Sequence, residues 1–381
     1  MLIEPSTTPT RIAGSQVKVV FARGALNHLG DYVRQEGGSR VFLVTDPGIV
    51  AAGHVERAVR TLYRAGLVVG VFDKVEENPT THHVDQALLV ARRFEPDLIV
   101  GLGGGSAMDT AKGLNFLHTN GGRMPDYWGS GKAQKPMLPM IAIPTTAGTG
   151  SEAQSYALIT NPQTHQKMAC GDPKARPRLA VLDADLVATV PAAVAAATGI
   201  DAVAHAVVSS ACNRRTDISR GLSKGAWHLL DSAFDAAIGS ADADAQQRML
   251  LGAHLAGAAI ENAMLGAAHA CANGLTARLG ITHGIAVGVM LPAVVRFNTQ
   301  LGDNPYSDLS PDGESLAQRI TAMLRLAGLP TNLRDLQVPA SARDELADIA
   351  ARQWTATFNP RPVTAADLRR VYELAELHPK N

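Results

Sequence analysis

Asp97-Leu98-Ile99-Val100-Gly101-Leu102-Gly103-Gly104-Gly105-Ser106-Ala107-Met108-Asp109-Thr110-Ala111-Lys112 is the stretch that decides the fold. Leu98 to Leu102 is a short apolar run of the kind found in a strand covered on both faces. From Ala107 the pattern is helical. Between them, Gly103, Gly104 and Gly105 let backbone N–H groups approach a phosphate with no Cβ in the way. The helix N-terminus adds partial positive charge, and Ser106 can donate or cap. The order strand, glycine-rich turn, helix makes a candidate phosphate cradle, although a tight turn that binds nothing has the same composition.

The pattern repeats outward from this stretch. Val17–Phe21 reads as a strand, Ala25–Gln35 as a helix, Arg40–Thr45 as a strand, His54–Ala65 as a helix and Val68–Phe72 as a strand. The spacing predicts a helix over Val84–Phe94 and further strands at Pro139–Pro144 and Leu179–Asp183. Apolar runs alternating with helical crossovers imply a parallel sheet covered by helices on both sides. After Val190 the strand signals stop, and Ala/Leu-rich helical runs continue nearly to Leu377. The sequence therefore predicts an α/β dinucleotide-binding domain over 1–190 and an all-helical domain over 191–381, with the boundary near Thr189-Val190-Pro191.

Asp46 stands at the C-terminal end of a predicted strand, where a carboxylate can accept both ribose hydroxyls of an adenosine. It would also repel a 2′-phosphate, which favours NAD over NADP. This acid precedes the glycine-rich loop, whereas the usual Rossmann fingerprint places it about twenty residues after. A second polar loop, Pro144-Thr145-Thr146-Ala147-Gly148-Thr149-Gly150-Ser151-Glu152, also follows a strand. Such composition often marks a solvated turn. Its place at a strand end, where open α/β sheets bind ligands, makes Thr145, Thr146 and Thr149 candidate cofactor contacts.

The helical half carries a different chemistry, between Gly199 and Pro292. Asp201 and His205 stand four apart in an Ala/Val-rich run, so both project from one helix face. His269 lies in a second small-residue helix, and His283 follows at Gly280-Ile281-Thr282-His283-Gly284. One carboxylate and three imidazoles among small apolar residues suit a divalent transition metal such as Fe(II) or Zn. The plainer alternative is four polar residues of a helical core.

The 381 residues exceed the usual size of a single core, and 46% are apolar against 18% charged. Thirty-five basic residues balance thirty-five acidic ones, leaving no net charge to draw nucleic acid or an anionic membrane. Cys170, Cys212 and Cys271 are too few for a disulfide framework and point to a reducing compartment. The first residues lack a basic segment followed by an apolar core, and no run approaches about 18 consecutive apolar residues. A cytoplasmic protein is the expectation.

Taken together, Gly-Gly-Gly-Ser-x-Met-Asp-Thr-Ala-Lys, Pro-Thr-Thr-Ala-Gly-Thr-Gly-Ser-Glu, Gly-Ile-Asp-Ala-x-x-His-Ala and the His269 to His283-Gly spacing resemble the iron-containing (group III) alcohol dehydrogenases. The resemblance runs from Val17-Lys-Val-Val-Phe21 to Asn359-Pro360-Arg361-Pro362. It implies the fold shared with dehydroquinate synthase, with an active-site cleft between an α/β and an all-α domain. It further implies metal ligation by Asp201, His205, His269 and His283. Cofactor contacts are implied from Asp46, Asn78, Gly104 to Ser106, Asp109, Thr145, Thr149 and Lys167. NAD with Fe(II) or Zn, a small alcohol or aldehyde as substrate, and a homodimer follow from the same resemblance.

One position departs from the pattern. Many members resembling this chain carry a histidine four residues after the His269 position, where this sequence has Asn273. That side chain shares a helix face with His269 and is expected to reach the substrate pocket. An amide hydrogen-bonds but does not ionise near neutral pH, whereas imidazole does. Arg214 and Arg215 could bind an acidic substrate group, although a solvated loop suits them better. Two other classes share these features: a lyase of the dehydroquinate-synthase type and a non-catalytic NAD-binding protein. The alanines at 267, 268, 270 and 272 around His269 disfavour the polar pocket that the lyase needs.

Overall fold

A computed structural model describes residues 4–164, 166–300 and 302–376; residue 377, near which the sequence predicts the last helical run to end, lies outside them. Two compact units are formed, one by Met1–Thr146 with Gly150–Val190, the other by Ala147–Thr149 with Pro191–Asn381.

In chain order the first unit runs β1 (Ser6–Arg11), β2 (Lys18–Phe21), α1 (Leu29–Gln35), β3 (Arg40–Val44), α2 (Pro47–Ala51), α3 (His54–Arg64), β4 (Val68–Phe72), α4 (Thr81–Phe94), β5 (Leu98–Gly103), α5 (Gly105–Asn120), β6 (Gly129–Ser130), β7 (Met140–Pro144), β8 (Tyr156–Thr160), β9 (Lys167–Gly171), β10 (Leu179–Leu182) and α6 (Ala184–Val187). Seven strands make one sheet in the order β1-β2-β10-β7-β5-β3-β4. Every pairing in it is parallel except β1 with β2. Along β3, Phe42 and Val44 join Ile99, Met140 and Val84 on one face, while Val41 and Leu43 join Val100, Ile141 and Leu62 on the other. Alternate side chains thus enter two cores, so the strands read as unbroken apolar runs. Each such Val, Leu or Phe contributes about 1.5–3 kcal/mol by burial.

The helix expected over Ala25–Gln35 is interrupted. Ala25–His28 is a 3₁₀ turn and α1 starts only at Leu29. The Asp183 carboxylate accepts the amides of Gly24 and Leu26, which pins the chain in the tighter turn. The strand β1 carries no apolar run because it is an edge, where polar residues and Pro9 are tolerated. A second sheet, β6-β9-β8, also escapes the sequence reading. The middle residues of β8 alternate buried and exposed, a weaker signal than the long runs of the main sheet.

The second unit contains α7 (Ala192–Ala211), α8 (Asp217–Gly239), α9 (Ala243–Asn262), α10 (Ala267–Leu279), α11 (His283–Thr299), α12 (Gly313–Leu326), α13 (Arg343–Ala351) and α14 (Ala365–Glu376). No strand occurs among its described residues. From Gly199 to Ala211 every residue of α7 is buried, and α8, α9 and α11 pack around it. Among the described residues α7 alone is long and apolar enough to cross a membrane, but 72% of that window is buried, as in a core helix.

Candidate active site

In the first unit, β3, β5 and β7 are neighbours, so the loops after their C-terminal ends share one edge of the sheet. The chain leaves β3 for β4 on one side and resumes at β5 on the other. Ligands bind in open α/β sheets at such a reversal. Asp46 caps α2, its Oδ1 accepting the Ile49 amide at 3.1 Å. Its other oxygen faces Gly103: a Cβ built there would lie 3.1 Å from Asp46 Oδ2 and 2.8 Å from the Ala107 Cβ, at a φ of +151°. Glycine is therefore required by both space and conformation. Gly104 precedes α5, and Gly105 and Ser106 form its first turn. The Thr146 hydroxyl stands beside this loop, 3.7 Å from where a Gly104 Cβ would be. Thr145 is buried, and its amide donates to the Gly103 carbonyl at 3.0 Å. Thr149 belongs to the short stretch Ala147–Thr149 that groups with the second unit.

Asn78 and Lys167, far apart in sequence, are brought together: Lys167 Nζ donates to Asn78 Oδ1 at 3.0 Å. Asn78 adopts a left-handed φ of 54°, which asparagine tolerates better than most residues. Asp109 instead turns inward. Ser151 Oγ donates to its Oδ1 at 2.7 Å, and the fully buried Lys112 donates to Ser151 Oγ, the Ser151 carbonyl and the Tyr156 carbonyl. Burial pushes the Asp109 carboxyl up, against the pull of Lys112 and Ser151. Lys112 and Ser151 stand in the two quoted loops' motifs, but neither is a candidate contact from the sequence alone. The Asp-x-x-Lys spacing, which puts both side chains on one helix face, was the available signal.

In the second unit, α7 presents Asp201 and His205 one turn apart, α10 presents His269 as its third residue, and α11 begins at His283. One ligand atom each from Asp201, His205 and His269 lies within 4.8 Å of the others. Both Nε2 atoms are 3.7 Å from Asp201 Oδ1, too far for hydrogen bonds. The His283 ring tilts against that of His269 with centroids 5.8 Å apart. Close packing brings it there, since a Cβ at Gly284 would collide with the Ala197 carbonyl of α7.

Asp201, His205 and His269 are buried. Asp201 Oδ1 and both ring nitrogens of His269 have no hydrogen-bond partner. Each such atom costs about 1–3 kcal/mol when left unsatisfied. Burial raises the Asp201 carboxyl, but the imidazoles of His205, His269 and His283 outweigh it and hold the group well below the usual carboxylate range. A carboxylate converging with three imidazoles, with Asp201 Oδ1 and both His269 nitrogens buried and unpartnered, is a donor set that fits iron or zinc.

Asn273 sits one turn beyond His269 on α10 and donates to Gln353 Oε1 at 3.3 Å. Arg214 and Arg215 are exposed, and Arg215 Nη1 caps α7 by donating to the Ala211 carbonyl at 2.9 Å.

Comparison with known proteins covers nearly the whole chain. Residues 16–184 match the family described as iron-containing alcohol dehydrogenase, and residues 195–375 match the C-terminal part of the Fe-containing alcohol dehydrogenase family. Alcohol dehydrogenase 4 of Schizosaccharomyces pombe is 34% identical over 369 residues, 93% of this chain and 87% of that protein. The crystal structure of a 1,3-propanediol oxidoreductase superposes with a TM-score of 0.90 at 31% identity, covering 95% of this chain and 98% of the other. A sulfoacetaldehyde reductase from Bifidobacterium kashiwanohense, solved in complex with NAD+, gives a TM-score of 0.85 at 26% identity over 98% of each chain.

Proposed function

The chain belongs to the iron-containing alcohol dehydrogenase family, and on that premise we propose that it interconverts a small alcohol and its aldehyde using NAD(H) and a divalent iron or zinc ion. It is an oxidoreductase; the comparisons favour this over a lyase. The observation that carries the metal reading is the buried Asp201–His205–His269 cluster, in which Asp201 Oδ1 and both His269 nitrogens have no hydrogen-bond partner.

Asp201, His205, His269 and His283 would hold the metal. When bound, the metal supplies Lewis acidity toward a carbonyl oxygen, and NADH supplies the hydride. Asp201 lowers the net charge of the site by one, while the apolar alanines around His269 exclude water and so strengthen electrostatic interactions there. In the first unit, the amides of Gly103 to Ser106 would donate to the dinucleotide phosphates at the start of α5. Asp46, with Oδ1 engaged by Ile49, keeps Oδ2 as an acceptor for ribose hydroxyls. Thr145, Thr146 and Thr149 would contact the cofactor from the next loop, and the Asn78–Lys167 pair would add a positive charge. Asp109 would act from behind, holding Ser151 and Lys112 in place. Asn273 can donate and accept hydrogen bonds in the pocket but cannot deliver a proton by ionising. A homodimer is part of the same reading.

The test is metal analysis of protein purified without oxygen, with absorbance of NADH followed across an aldehyde panel. Stoichiometric iron or zinc and aldehyde-dependent NADH loss are expected. Metal-free protein that still turns over would overturn the metal reading.

A further inference from the structure

The motif Asn359-Pro360-Arg361-Pro362 lies in none of the elements described above. The candidate metal ligands are carried by α7, α10 and α11, and residues 353–361 touch α10, α11 and the chain just beyond α7. Beyond the end of α7, the Asn213 amide donates to the Phe358 carbonyl at 3.0 Å and Asn213 Nδ2 to the Thr357 carbonyl at 2.8 Å. On α11, Asn298 and Asn359 exchange amide hydrogen bonds of 2.7 and 3.2 Å, and Arg361 donates to the Phe297 carbonyl at 3.1 Å. On α10, the amide of Ala267 donates to Asn359 Oδ1 at 3.3 Å.

The last contact bears on His269. An α-helix leaves its first amides without partners inside the helix, and a side chain just before it normally takes one of them. Gly266 occupies that position and has no side chain to do so. Asn359 supplies the missing acceptor from 92 residues away. Its amide is 2% exposed and fully engaged: Oδ1 accepts from Ala267 and Asn298, and Nδ2 donates to Asn298 and to the Arg361 carbonyl. A buried amide so satisfied is rigid, because any shift leaves a polar group unpaired. His269 lies in the turn that Asn359 caps, where an uncapped helix would fray.

We propose that Asn359 is a positioning residue for the metal centre, fixing His269 through the first turn of α10 while the rest of the strap registers α7 and α11 against it. The inference rests on the reading of Asp201, His205, His269 and His283 as metal ligands.

The test is titration of the full-length, metal-stripped protein with cobalt(II), read by its visible d–d spectrum, beside thermal melting of the same metal-free samples. Asn359→Ala is expected to weaken cobalt binding about tenfold or more and to alter the d–d band, the range typical of groups that orient ligands. Asn332→Ala is the control. That amide is equally buried in the same unit and accepts from Arg334 and Asp335. It should melt lower yet bind cobalt like wild type. Should Asn359→Ala fail to fold, the exposed Asn213→Ala replaces it, with an expected loss of about threefold, the scale of the one hydrogen bond it gives Thr357. Wild-type affinity and spectrum in the decisive variant, or an equal loss in Asn332→Ala, would overturn the positioning role. A wild-type protein that shows no cobalt spectrum would instead remove the metal reading, and this inference with it.

Discussion

The imidazoles of His205 and His269 are stacked, with centroids 5.0 Å and planes 10° apart, and both present Nε2 to the same oxygen of Asp201. Two helices, α7 and α10, thereby aim three ligand atoms at one small volume. Removing either ring should open the site rather than only weaken it. We expect His269→Ala to abolish NADH-linked turnover and to reduce bound iron or zinc by about tenfold or more. Elemental analysis of the purified variant decides the matter, since undiminished metal content contradicts ligation by His269.

Asp46 does two things that a careless substitution would confound. It caps α2 through Ile49, and it offers a negative charge beside Gly103. Asn keeps the cap, because asparagine serves as well there, and removes the charge. Asp46→Asn should leave thermal stability unchanged while narrowing the preference for NADH over NADPH by about tenfold, the value of removing one unfavourable charge contact. Steady-state kcat/KM for the two cofactors is the measurement. A wild-type enzyme faster with NADPH would show that Asp46 does not set the choice.

Lys112 is buried with its ammonium on Ser151 and Tyr156 and its charge 4.0 Å from Asp109. Lys112→Met leaves the buried Asp109 without its counter-charge and the Ser151 and Tyr156 acceptors without their donor, and should cost about 3–5 kcal/mol. The double variant Lys112→Met/Asp109→Asn should recover part of that loss. Urea denaturation of the two single variants and the double gives the coupling directly. Additive losses would mean that the two side chains do not share a network.

Much of this architecture is legible in the chain, and the limits have physical causes. The strands β3, β5 and β7 announce themselves because two covered faces demand an unbroken apolar run. The edge strand β1, with one polar side, makes no such demand. The turn at Ala25–His28 depends on Asp183, whose carboxylate arrives from the far end of the unit. Asp201 and His205 can be paired from their spacing because a helix repeats every 3.6 residues. No local rule brings His269 to that pair, although the shared chemistry of one carboxylate and three imidazoles suggests the set, and none links Lys167 to Asn78, which the resemblance names only as separate cofactor contacts. The hold of Asn359 on Ala267 was beyond either route, since it joins an irregular segment to a glycine-started helix.

Asn273 allows a sharper test of the pocket. Its amide rests on Gln353 and does not titrate. Asn273→His should introduce a group ionising at about pH 6–7 into the pH dependence of kcat/KM, where imidazole normally titrates. Asn273→Ala should lower kcat/KM by about tenfold through a lost hydrogen bond. An Asn273→His profile of the same shape as wild type would take residue 273 out of the reaction.

The strand order of the first unit bears on how the chain reaches its fold. β1 and β2 are joined to the remaining strands only through β10, which lies between β2 and β7. Lys18 therefore waits for Leu179, and Phe21 for Leu182, before the first hairpin has a place in the sheet. Closing so long a loop is entropically slow. Truncation before Leu179 would leave β7-β5-β3-β4 as a competent half-sheet with the first hairpin detached. The hairpin β1–β2 is thus among the last parts of the sheet to be secured, and pulsed hydrogen exchange should find the amides of β2 protected later than those of β5.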